Sequence, residues 1–493
     1  MNNLTLLQYF EWYLPSNKLL WQRAVREAKD IHKMGINAVW LPPAFKGQDA
    51  ENVGYGVYDL YDLGEFKQKG TVATKYGTRR EYQAAIKAFQ RYGIKVFADI
   101  VLNNRIGGDE TETVRAIEQE WDNRLQQVGE IQEIEAWTKY NFPGRKGKYS
   151  DFTWNSAYFN GIDWDERTKK SGIYLFEGKQ WDSKVAQEKA NYDYLMGADV
   201  DLHNPKVREE MLRWGEWYVA TTGVDGFRLD ATKHIGSDFY SWWLTQLRQK
   251  TGQELPTVGE YWSTDMGELG KYLQKTGNQF WLFDVPLHFN LFKASRSGDQ
   301  FPMNKILDNS LLQSFPDRAV TFVDNHDTQP SQGLDSWVDG WFKTMAYSLI
   351  LLRGEGTPCV FWGDLFGIPH DNIGAVPDLK ALLKIREFFA KGKLHDYFDH
   401  EHIVGFTREG SESFPDSGLA VIMSNSKGGE KEMYVNKRLA GLRFIDVIGT
   451  NKAIVTIDEE GNGKFSVGNG TVSVYVSEFA AKQLFINGIT SRG

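Results

Sequence analysis

The sequence predicts an α/β protein: a closed (β/α)8 TIM barrel with a β-rich domain inserted after its third strand and an antiparallel β-sandwich at the carboxyl-terminal end. Three observations support this prediction. Eight short runs of aromatic and β-branched residues alternate with amphipathic segments, an interval of about a hundred residues interrupts the alternation after the third run, and the composition changes again near residue 393.

The eight runs have the length and composition of buried strands. They lie at residues 5–10, 38–41, 95–102, 226–230, 257–261, 280–285, 319–323 and 359–362. Parallel strands that alternate with helices close into a barrel, and functional residues collect at the carboxyl ends of its strands. The last run begins with Cys359, the single cysteine of the chain, so an internal disulfide is excluded and a buried thiol is expected.

Amphipathic helices are predicted between most of these strands and after the last one. Apolar residues recur at helical spacing at residues 21–34, 78–92, 206–221, 239–250, 337–352 and 378–390. This alternation of strand and helix is typical of a parallel barrel, which the sequence assigns to residues 1–103 and 205–393.

Residues 104–204 are predicted to form the inserted domain, because a loop between strand and helix normally has only about 2 to 6 residues. This interval is rich in Trp, Tyr, Gly and Asp, which indicates irregular β structure and loops with oxygen donors. Residues 394–493 show short strand patterns separated by Gly and Asn, which predict the terminal sandwich.

Composition and charge exclude several classes of protein. The 493 residues are 41% hydrophobic and 25% charged, which is typical of a folded enzyme and not of a disordered chain. With 57 basic and 65 acidic residues the net charge is −8, so no broad cationic surface for nucleic acid or membrane lipid is expected. No apolar run reaches the roughly 18 residues of a membrane span. We expect a monomer that acts on a neutral substrate.

The amino-terminal residues predict a cytoplasmic location. They read MNNLTLLQYFEWY and lack a basic stretch, an apolar core and a small-residue cleavage site in that order. A mature secreted form that starts at a new methionine fits the same sequence.

Four segments place a carboxylate where a predicted barrel strand gives way to polar residues. They lie at residues 99–104, 226–234, 258–262 and 322–327. Because the carboxyl ends of parallel barrel strands meet at one rim, these segments predict a site assembled from several strand ends.

In these segments and several others, the chain resembles the α-amylase family of glycoside hydrolases, and most closely its bacterial liquefying and cytoplasmic types. The motifs that carry the resemblance, in the order of the family, are QYFEWY, GYGVYDLYDLGEF, ADIVLN, LMGADVD, GVDGFRLDATKHI, VGEYW and FVDNHDTQP. The resemblance implies retaining endo-hydrolysis of internal α-1,4 bonds in starch, glycogen or maltooligosaccharides, without an organic cofactor.

The resemblance also assigns three catalytic carboxylates. Asp230 would be the nucleophile, Glu260 the general acid and then base, and Asp327 the group that orients the sugar and stabilises the transition state. Retaining hydrolysis needs two carboxyl groups about 5 to 5.5 Å apart, which neighbouring strand ends can provide. Arg228, two residues before Asp230 on the same strand, faces the same side and is expected to keep Asp230 ionised.

A set of substrate-binding residues follows from the same resemblance. Tyr55 would be a stacking platform, His326 a hydrogen-bond donor, and Lys233 a contact beyond the cleavage point. The full set is Tyr55, Asn104, Arg228, Lys233, His234, Trp262 and His326. Asn104 departs from the family, which usually has His there, and asparagine is shorter and cannot be protonated. We hypothesise a weaker contact to the transition state, although a shifted insert and a water molecule in place of the imidazole would also fit.

Calcium is the cofactor that the resemblance implies, and this ion takes about 6 to 8 oxygen ligands. Asn103, Asp193, Asp199 and the backbone carbonyl of His234 match the principal calcium site of the family. Asp182 matches a ligand of a second metal cluster, but Asn160 and His203 stand where that cluster usually has acidic ligands. A bound ion would fasten the insert to the barrel beside the nucleophile.

Two alternatives stay open at this stage. A maltooligosaccharide-forming hydrolase or a transglycosylase would use the same three carboxylates. A catalytically impaired glucan-binding protein would be expected to lack at least one of them, and this chain has all three.

Overall fold

The computed structural model describes residues 4–449 and 451–484. Eight parallel strands close into a barrel in chain order, which confirms the predicted barrel. They are β1 (Leu6–Gln8), β2 (Ala38–Leu41), β3 (Lys95–Ile100), β4 (Gly226–Leu229), β5 (Thr257–Gly259), β6 (Trp281–Phe283), β7 (Ala319–Phe322) and β8 (Thr357–Phe361). Each overlaps its predicted run, and β5 ends two residues before the predicted limit, so that Glu260 follows the strand.

Helices alternate with these strands. The α-helices are Leu20–Lys33, Arg79–Arg91, Pro205–Thr222, Ser237–Thr251, Met266–Lys275, Val285–Ser297, Leu311–Ser314, Gly340–Leu352, Trp362–Phe366, Leu379–Phe388 and Glu478–Leu484. All six predicted helices are present, and sequence reasoning did not name Met266–Lys275 or Val285–Ser297. The helix predicted from residue 337 begins at Gly340, because Asp339 before it has an extended backbone with ψ 139°.

Capping residues explain where the helix before β4 begins and ends. The side chain of Asn204 accepts a hydrogen bond from the Lys206 amide, and Pro205 occupies the first helical position, where its missing N–H costs nothing. Gly223 ends the helix in the left-handed conformation with φ 68°, which glycine adopts without strain. The chain then enters β4, the strand that leads to Asp230.

The residues between β3 and the helix Pro205–Thr222 contain a six-stranded sheet. Its strands, in spatial order, are Asn104–Arg105, Ala198–Val200, Phe159–Asp165, Lys170–Phe176, Glu110–Gln119 and Gln127–Lys139. The pairings between them are antiparallel. The β-rich insert is therefore confirmed, but it is more regular than the irregular β structure that its composition predicts. A further small ladder pairs Lys46–Gly47 with Val57–Asp59.

The carboxyl-terminal part is an antiparallel sandwich, as predicted. One sheet contains Leu394–Tyr397, Ile403–Arg408, Leu419–Ser424, Thr471–Ser477, Arg443–Asp446 and Ile454–Thr456, and the other contains Gly429–Tyr434 and Asn462–Val467. Ile422 and Phe444 of the first sheet and Met433 and Phe465 of the second are buried in one apolar core. The numerical limits of the three domains stay a prediction.

The described residues form two compact units. One lies within Met1–Tyr13, Asp30–Ala38 and Asp284–Gly493, and it contains β1, β7, β8 and the sandwich. Cys359 lies on β8 of this unit and is buried, as predicted. The other comprises Leu14–Lys29 and Val39–Phe283 and contains β3 to β6 and the inserted sheet. Among the residues that the structure describes, no helix has the length and apolar character needed to span a membrane.

Candidate active site

Asp230 and Glu260 follow neighbouring barrel strands at the same height. In the parallel pairing of β4 and β5, Leu229 lies opposite Gly259, so the residues after them stand side by side. The Glu260 amide donates to the Leu229 carbonyl at 2.9 Å, which extends this pairing by one step. The side chains of Asp230 and Glu260 are 13% and 10% exposed. The two carboxyl groups are thus largely enclosed but reachable.

A single guanidinium joins three carboxylates at this point. Arg228 Nη1 lies 3.0 Å from Asp99 Oδ1 and 2.6 Å from Asp230 Oδ1, and Arg228 Nη2 lies 2.9 Å from Glu260 Oε2. Because one planar group contacts both Asp230 and Glu260, the two carboxylates lie within reach of one sugar unit.

The charges of this cluster do not balance, because three carboxyl groups share one guanidinium, and the pKa of Asp230 departs from the expectation. Burial raises the pKa of Asp230 well above its usual range, Arg228 lowers it, and the nearby Glu260 and Asp99 raise it further. The prediction that Arg228 keeps Asp230 ionised is therefore wrong in its net direction, because burial outweighs one shared cation. The pKa of Asp99 is raised by burial in the same way, although Arg228 and the hydrogen bonds from Tyr55 and Trp40 lower it.

Asp99 is a site residue to which sequence reasoning gave no role. It is fully buried at the end of β3, opposite Arg228 in the ladder between β3 and β4. Its Oδ2 accepts hydrogen bonds from Trp40 Nε1 and from the Tyr55 hydroxyl, both at 2.9 Å. Asp99 thereby fixes Arg228 and Tyr55 together. Its place in ADIVLN, near the end of a predicted strand, marks Asp99 as a carboxylate of the barrel rim, but the motif does not give its role.

Tyr55 and Asn104, both predicted to contact substrate, lie in contact with each other. The Tyr55 ring is partly exposed while its hydroxyl binds Asp99. Asn104 is 1% exposed, and its Nδ2 donates to the Tyr55 carbonyl at 3.2 Å. Asn104 therefore supports the backbone of the predicted stacking residue.

Lys233, His234 and Trp262 lie in the loops that follow Asp230 and Glu260. Lys233 Nζ lies 3.0 Å from Glu188 Oε2 and donates to the Trp262 carbonyl at 3.0 Å. The His234 ring is buried, with Nδ1 2.7 Å from the Tyr192 carbonyl, and burial lowers its pKa to about 3. The neutral His234 ring therefore binds the insert, whereas Trp262 stays partly exposed.

The predicted calcium ligands include buried oxygen atoms without partners. Asn103 Oδ1 and Asp199 Oδ1 have no hydrogen-bond partner among the residues that the structure describes, and Asn103 Nδ2 donates to the His234 carbonyl at 3.2 Å. Burial raises the pKa of Asp199 to about 8, and burial and the charge of Asp199 raise that of Asp193. Buried carboxylates and unpaired oxygens are costly unless a cation satisfies them, so the donor set fits calcium.

This fit needs other oxygen donors besides the carboxylates of Asp193 and Asp199. Within residues 4–449 and 451–484, no three His, Cys, Asp or Glu side chains form a group that could hold a metal ion. The predicted set instead relies on the amide oxygen of Asn103 and on the backbone carbonyl of His234, both oxygen donors that calcium accepts.

The residues predicted for a second metal cluster are engaged in contacts with other protein side chains. Asn160 Nδ2 donates to Asp199 Oδ2 at 3.0 Å, and His203 Nε2 lies 2.9 Å from Asp182 Oδ2. The Asp182 amide donates to Asp193 Oδ2 at 2.8 Å. The carboxylates of Asp182 and Asp199 thus already have protein partners, whereas further metal ions would need free carboxylates. These contacts do not support a second cluster.

His326 and Asp327 lie in the other compact unit, after β7. The Asp327 amide donates to Asn325 Oδ1 at 2.8 Å, and its carboxylate is partly exposed. The His326 ring is buried, with Nδ1 2.9 Å from Gln8 Nε2 and Nε2 3.3 Å from Asp327 Oδ2. Gln8 therefore positions the His326 ring, and His326 in turn contacts the predicted third carboxylate, Asp327.

A buried lysine supports the same segment, and sequence reasoning missed it. Lys343 Nζ lies 2.8 Å from Asp324 Oδ2 and also pairs with Asp364. Asp324 Oδ1 accepts the hydroxyl of Thr328 at 2.8 Å, just after Asp327. A lysine in an amphipathic helix reads as a solvated charge in the sequence, so its role depends on long-range partners that the sequence does not show.

Comparisons with known proteins show the family of the chain. The family model described as "Alpha amylase, catalytic domain" matches residues 26–408. An α-amylase of Geobacillus stearothermophilus is 50% identical over 99% of the chain and 90% of that protein. A glucan 1,4-α-maltohexaosidase of Bacillus sp. (strain 707) is 48% identical over 97% and 93%, and a cytoplasmic α-amylase of Escherichia coli (strain K12) is 40% identical over 97% and 99%.

Solved structures support the fold. The crystal structure of an Anoxybacillus α-amylase superposes with a TM-score of 0.64 over 97% of both chains, at 16% sequence identity. At this identity the likeness shows the architecture alone.

Proposed function

The chain belongs to the α-amylase family of retaining, endo-acting glycoside hydrolases, and from that membership we propose how its residues carry out the reaction. The reaction is hydrolysis of internal α-1,4-glucosidic bonds in starch, glycogen and maltooligosaccharides. The observation that carries the proposal is the bridge by Arg228 between Asp230 and Glu260 at adjacent strand ends.

Asp230 is the proposed nucleophile and Glu260 the proposed acid and base. Glu260 gives its proton to the glycosidic oxygen while an oxygen of Asp230 attacks the anomeric carbon, which forms a covalent glycosyl-enzyme and releases the other sugar chain. Glu260 then takes a proton from a water molecule, and that water attacks the anomeric carbon from the side that the released sugar chain has left, which breaks the bond to Asp230. Two inversions at one carbon give net retention. Asp327 is the proposed group that orients the sugar.

The residues around the carboxylates are the proposed substrate contacts. Tyr55 and Trp262 offer partly exposed aromatic faces, which suit the apolar C–H face of a glucosyl ring. Lys233 has three N–H donors and can share them between Glu188 and a sugar hydroxyl. His326 is proposed to act on sugar hydroxyls together with Asp327.

Calcium is the proposed cofactor, held by Asn103, Asp193, Asp199 and the carbonyl of His234. Support comes from the unpaired buried oxygens of Asn103 and Asp199. When bound, calcium supplies positive charge that balances the two buried aspartates and fixes the insert to the loop after Asp230. Its proposed role is structural, so the proton and nucleophile chemistry belongs to Asp230 and Glu260.

The proposed activity is tested with the wild-type protein on amylose. We expect the viscosity of the solution to fall well before the reducing ends become abundant, because internal bonds are cut first. We also expect proton NMR to show the α-anomer as the first reducing end, before mutarotation. A β-anomer as first product, or release of sugars only from chain ends, would contradict the proposal.

A second candidate activity is the preferential release of maltohexaose. It is favoured by the 48% identity to the relative named glucan 1,4-α-maltohexaosidase. The same three carboxylates serve both activities, so the products decide. An early product mixture dominated by maltohexaose, rather than a spread of lengths, would support this candidate.

Replacement of Asn104 by His should raise catalytic efficiency. An imidazole at this position would add a longer donor, and we expect kcat/KM on maltoheptaose to rise about fivefold or more, equivalent to about 1 kcal/mol or more. Asn104→Ala is the matched control, because it removes the hydrogen bond to the Tyr55 carbonyl and adds nothing, so kcat/KM should fall. An unchanged or lower value for Asn104→His would refute the hypothesis.

The cytoplasm is the proposed location, and a monomer is the proposed state. The location is supported by the 40% identical relative that is named a cytoplasmic α-amylase. Fractionation of the source cells, followed by gel filtration of the purified protein, would test both.

A further inference from the structure

The inserted sheet presents an exposed tryptophan at the tip of a long hairpin. Trp121 lies between the strands Glu110–Gln119 and Gln127–Lys139 and is 60% exposed. A single exposed apolar residue needs no explanation by itself. Trp121 differs from such residues in two ways: its ring is held in place, and its supports lead to the loop after Asp230.

Two cationic side chains hold the ring of Trp121. The buried Arg124 has its guanidinium carbon 4.8 Å from the ring centre, and its Nε donates to the Trp121 carbonyl at 2.8 Å. Arg124 also donates through Nη1 to the Tyr194 carbonyl at 3.2 Å. Lys189 Nζ lies 4.7 Å from the ring centre and 3.6 Å from Asp122. The indole is thus ordered in advance, so a ligand that stacks on it loses little conformational entropy.

The same supports connect Trp121 to the catalytic loop. The Arg124 amide donates to the Lys189 carbonyl at 2.9 Å, which ties the hairpin tip to residues 187–192. Within that segment, Glu188 pairs with Lys233 at 3.0 Å, and the Tyr192 ring centre lies 4.9 Å from Lys233 Nζ. Lys233 follows Asp230 by three residues. A short chain of contacts therefore runs from Trp121 to the site.

We propose that Trp121 is an outer subsite that binds a glucosyl unit of a long α-glucan, beyond the units held at the catalytic carboxylates. The proposal rests on the proposed function and extends it to the length of the substrate. The indole offers an apolar face for the C–H face of the sugar. Asp122, the residue after Trp121, is 90% exposed, so its carboxylate can accept sugar hydroxyls beside the ring.

The test compares long and short substrates. The ratio of kcat/KM on amylose to kcat/KM on maltotriose is measured for the wild type, Trp121→Ala and Trp121→Phe. Under this proposal only the long chain spans both the catalytic carboxylates and Trp121, so we expect the ratio to fall about threefold to tenfold in Trp121→Ala, as loss of one aromatic contact predicts. Trp121→Phe keeps an aromatic face and should retain most of the ratio.

A second exposed tryptophan provides the matched control. Trp341, on the helix Gly340–Leu352, is 43% exposed, and Trp341→Ala should leave the ratio unchanged. An unchanged ratio in Trp121→Ala, or an equal loss on both substrates with a lower Tm, would overturn the proposal, because Trp121 would then be neutral or structural. A change in oligomeric mass with no change in ratio would also overturn it and would indicate a protein interface.

Hydrolysis of the two substrates by the wild type distinguishes a failure of the proposed function from a failure of the Trp121 subsite. If the wild type hydrolyses neither substrate, the proposed function fails. Binding of amylose by wild type and Trp121→Ala, measured by calorimetry, then decides the subsite: weaker binding by Trp121→Ala supports it, and equal binding or no binding refutes it.

Discussion

Replacement of Asp230 by Asn should reduce kcat on amylose by about 10⁴-fold or more while the protein stays folded. An amide oxygen cannot form the glycosyl-enzyme, and no other carboxylate occupies the end of β4. Burial raises the pKa of Asp230, so a neutral side chain of the same shape removes a desolvation cost. Arg228 keeps Asp99 and Glu260 as partners. We therefore expect the Tm of Asp230→Asn, measured by calorimetry, to equal or exceed that of the wild type.

The substitution Glu260→Gln separates the acid from the nucleophile. On amylose it should lose activity almost as completely as Asp230→Asn. On a maltoside with a dinitrophenyl leaving group, which needs no proton to depart, Glu260→Gln should still show a burst of released phenol, and Asp230→Asn should not. Identical behaviour of the two variants on this substrate would mean that their roles are assigned wrongly.

Asp225, directly before β4, provides a matched control. Its Oδ2 accepts the Val96 amide at 2.8 Å. An asparagine there keeps an acceptor oxygen, so Asp225→Asn should retain kcat within about twofold. A loss comparable to that of Asp230→Asn would show that any change of a carboxylate next to β4 abolishes activity, and the nucleophile would then be unproven.

The sequence was sufficient to predict the barrel because its signal is local. Each buried strand is a short run of β-formers, and Asp230 and Glu260 stand one residue after β4 and β5. Asp99 escaped assignment because its role is not local: its partner Trp40 lies 59 residues earlier and its partner Arg228 lies 129 residues later. A buried carboxylate at a strand end has no sequence feature that distinguishes a binding group from a structural one.

The hairpin of the insert shows the same limit. The strand Gln127–Lys139 is mostly exposed over its first half, so its polar residues conceal the period of a strand. Its regularity comes from pairing with Glu110–Gln119. The raised pKa of Asp230 could not be predicted from the sequence either. The nearby Arg228 can be seen in the sequence, but the burial that outweighs its effect cannot.

Removal of calcium should lower the stability of the protein and do so more at alkaline pH. Without a cation, burial raises the pKa of Asp199 to about 8, so the folded state keeps a proton that the unfolded state loses near its ordinary pKa of about 4. Because the pKa of Asp199 is higher in the folded state than in the unfolded state, its proton stabilises the folded state. This stability is fully present below the unfolded pKa and is lost as the pH rises through about 8. With calcium bound, the same carboxylate is ionised and paired, and this loss disappears.

We therefore expect a chelator to lower the Tm by about 10 °C near pH 8 and by less near pH 5, with recovery on addition of calcium. Activity should fall in parallel, because the ligands include the carbonyl of His234 in the loop after Asp230. Asp199→Asn should abolish the calcium response, since it removes the carboxylate whose Oδ1 is unpaired. In the control variant Asp182→Asn, whose partner is His203, the response should persist. If the chelator leaves the Tm unchanged at pH 8, these oxygens do not bind calcium, and their burial without partners would need another cause.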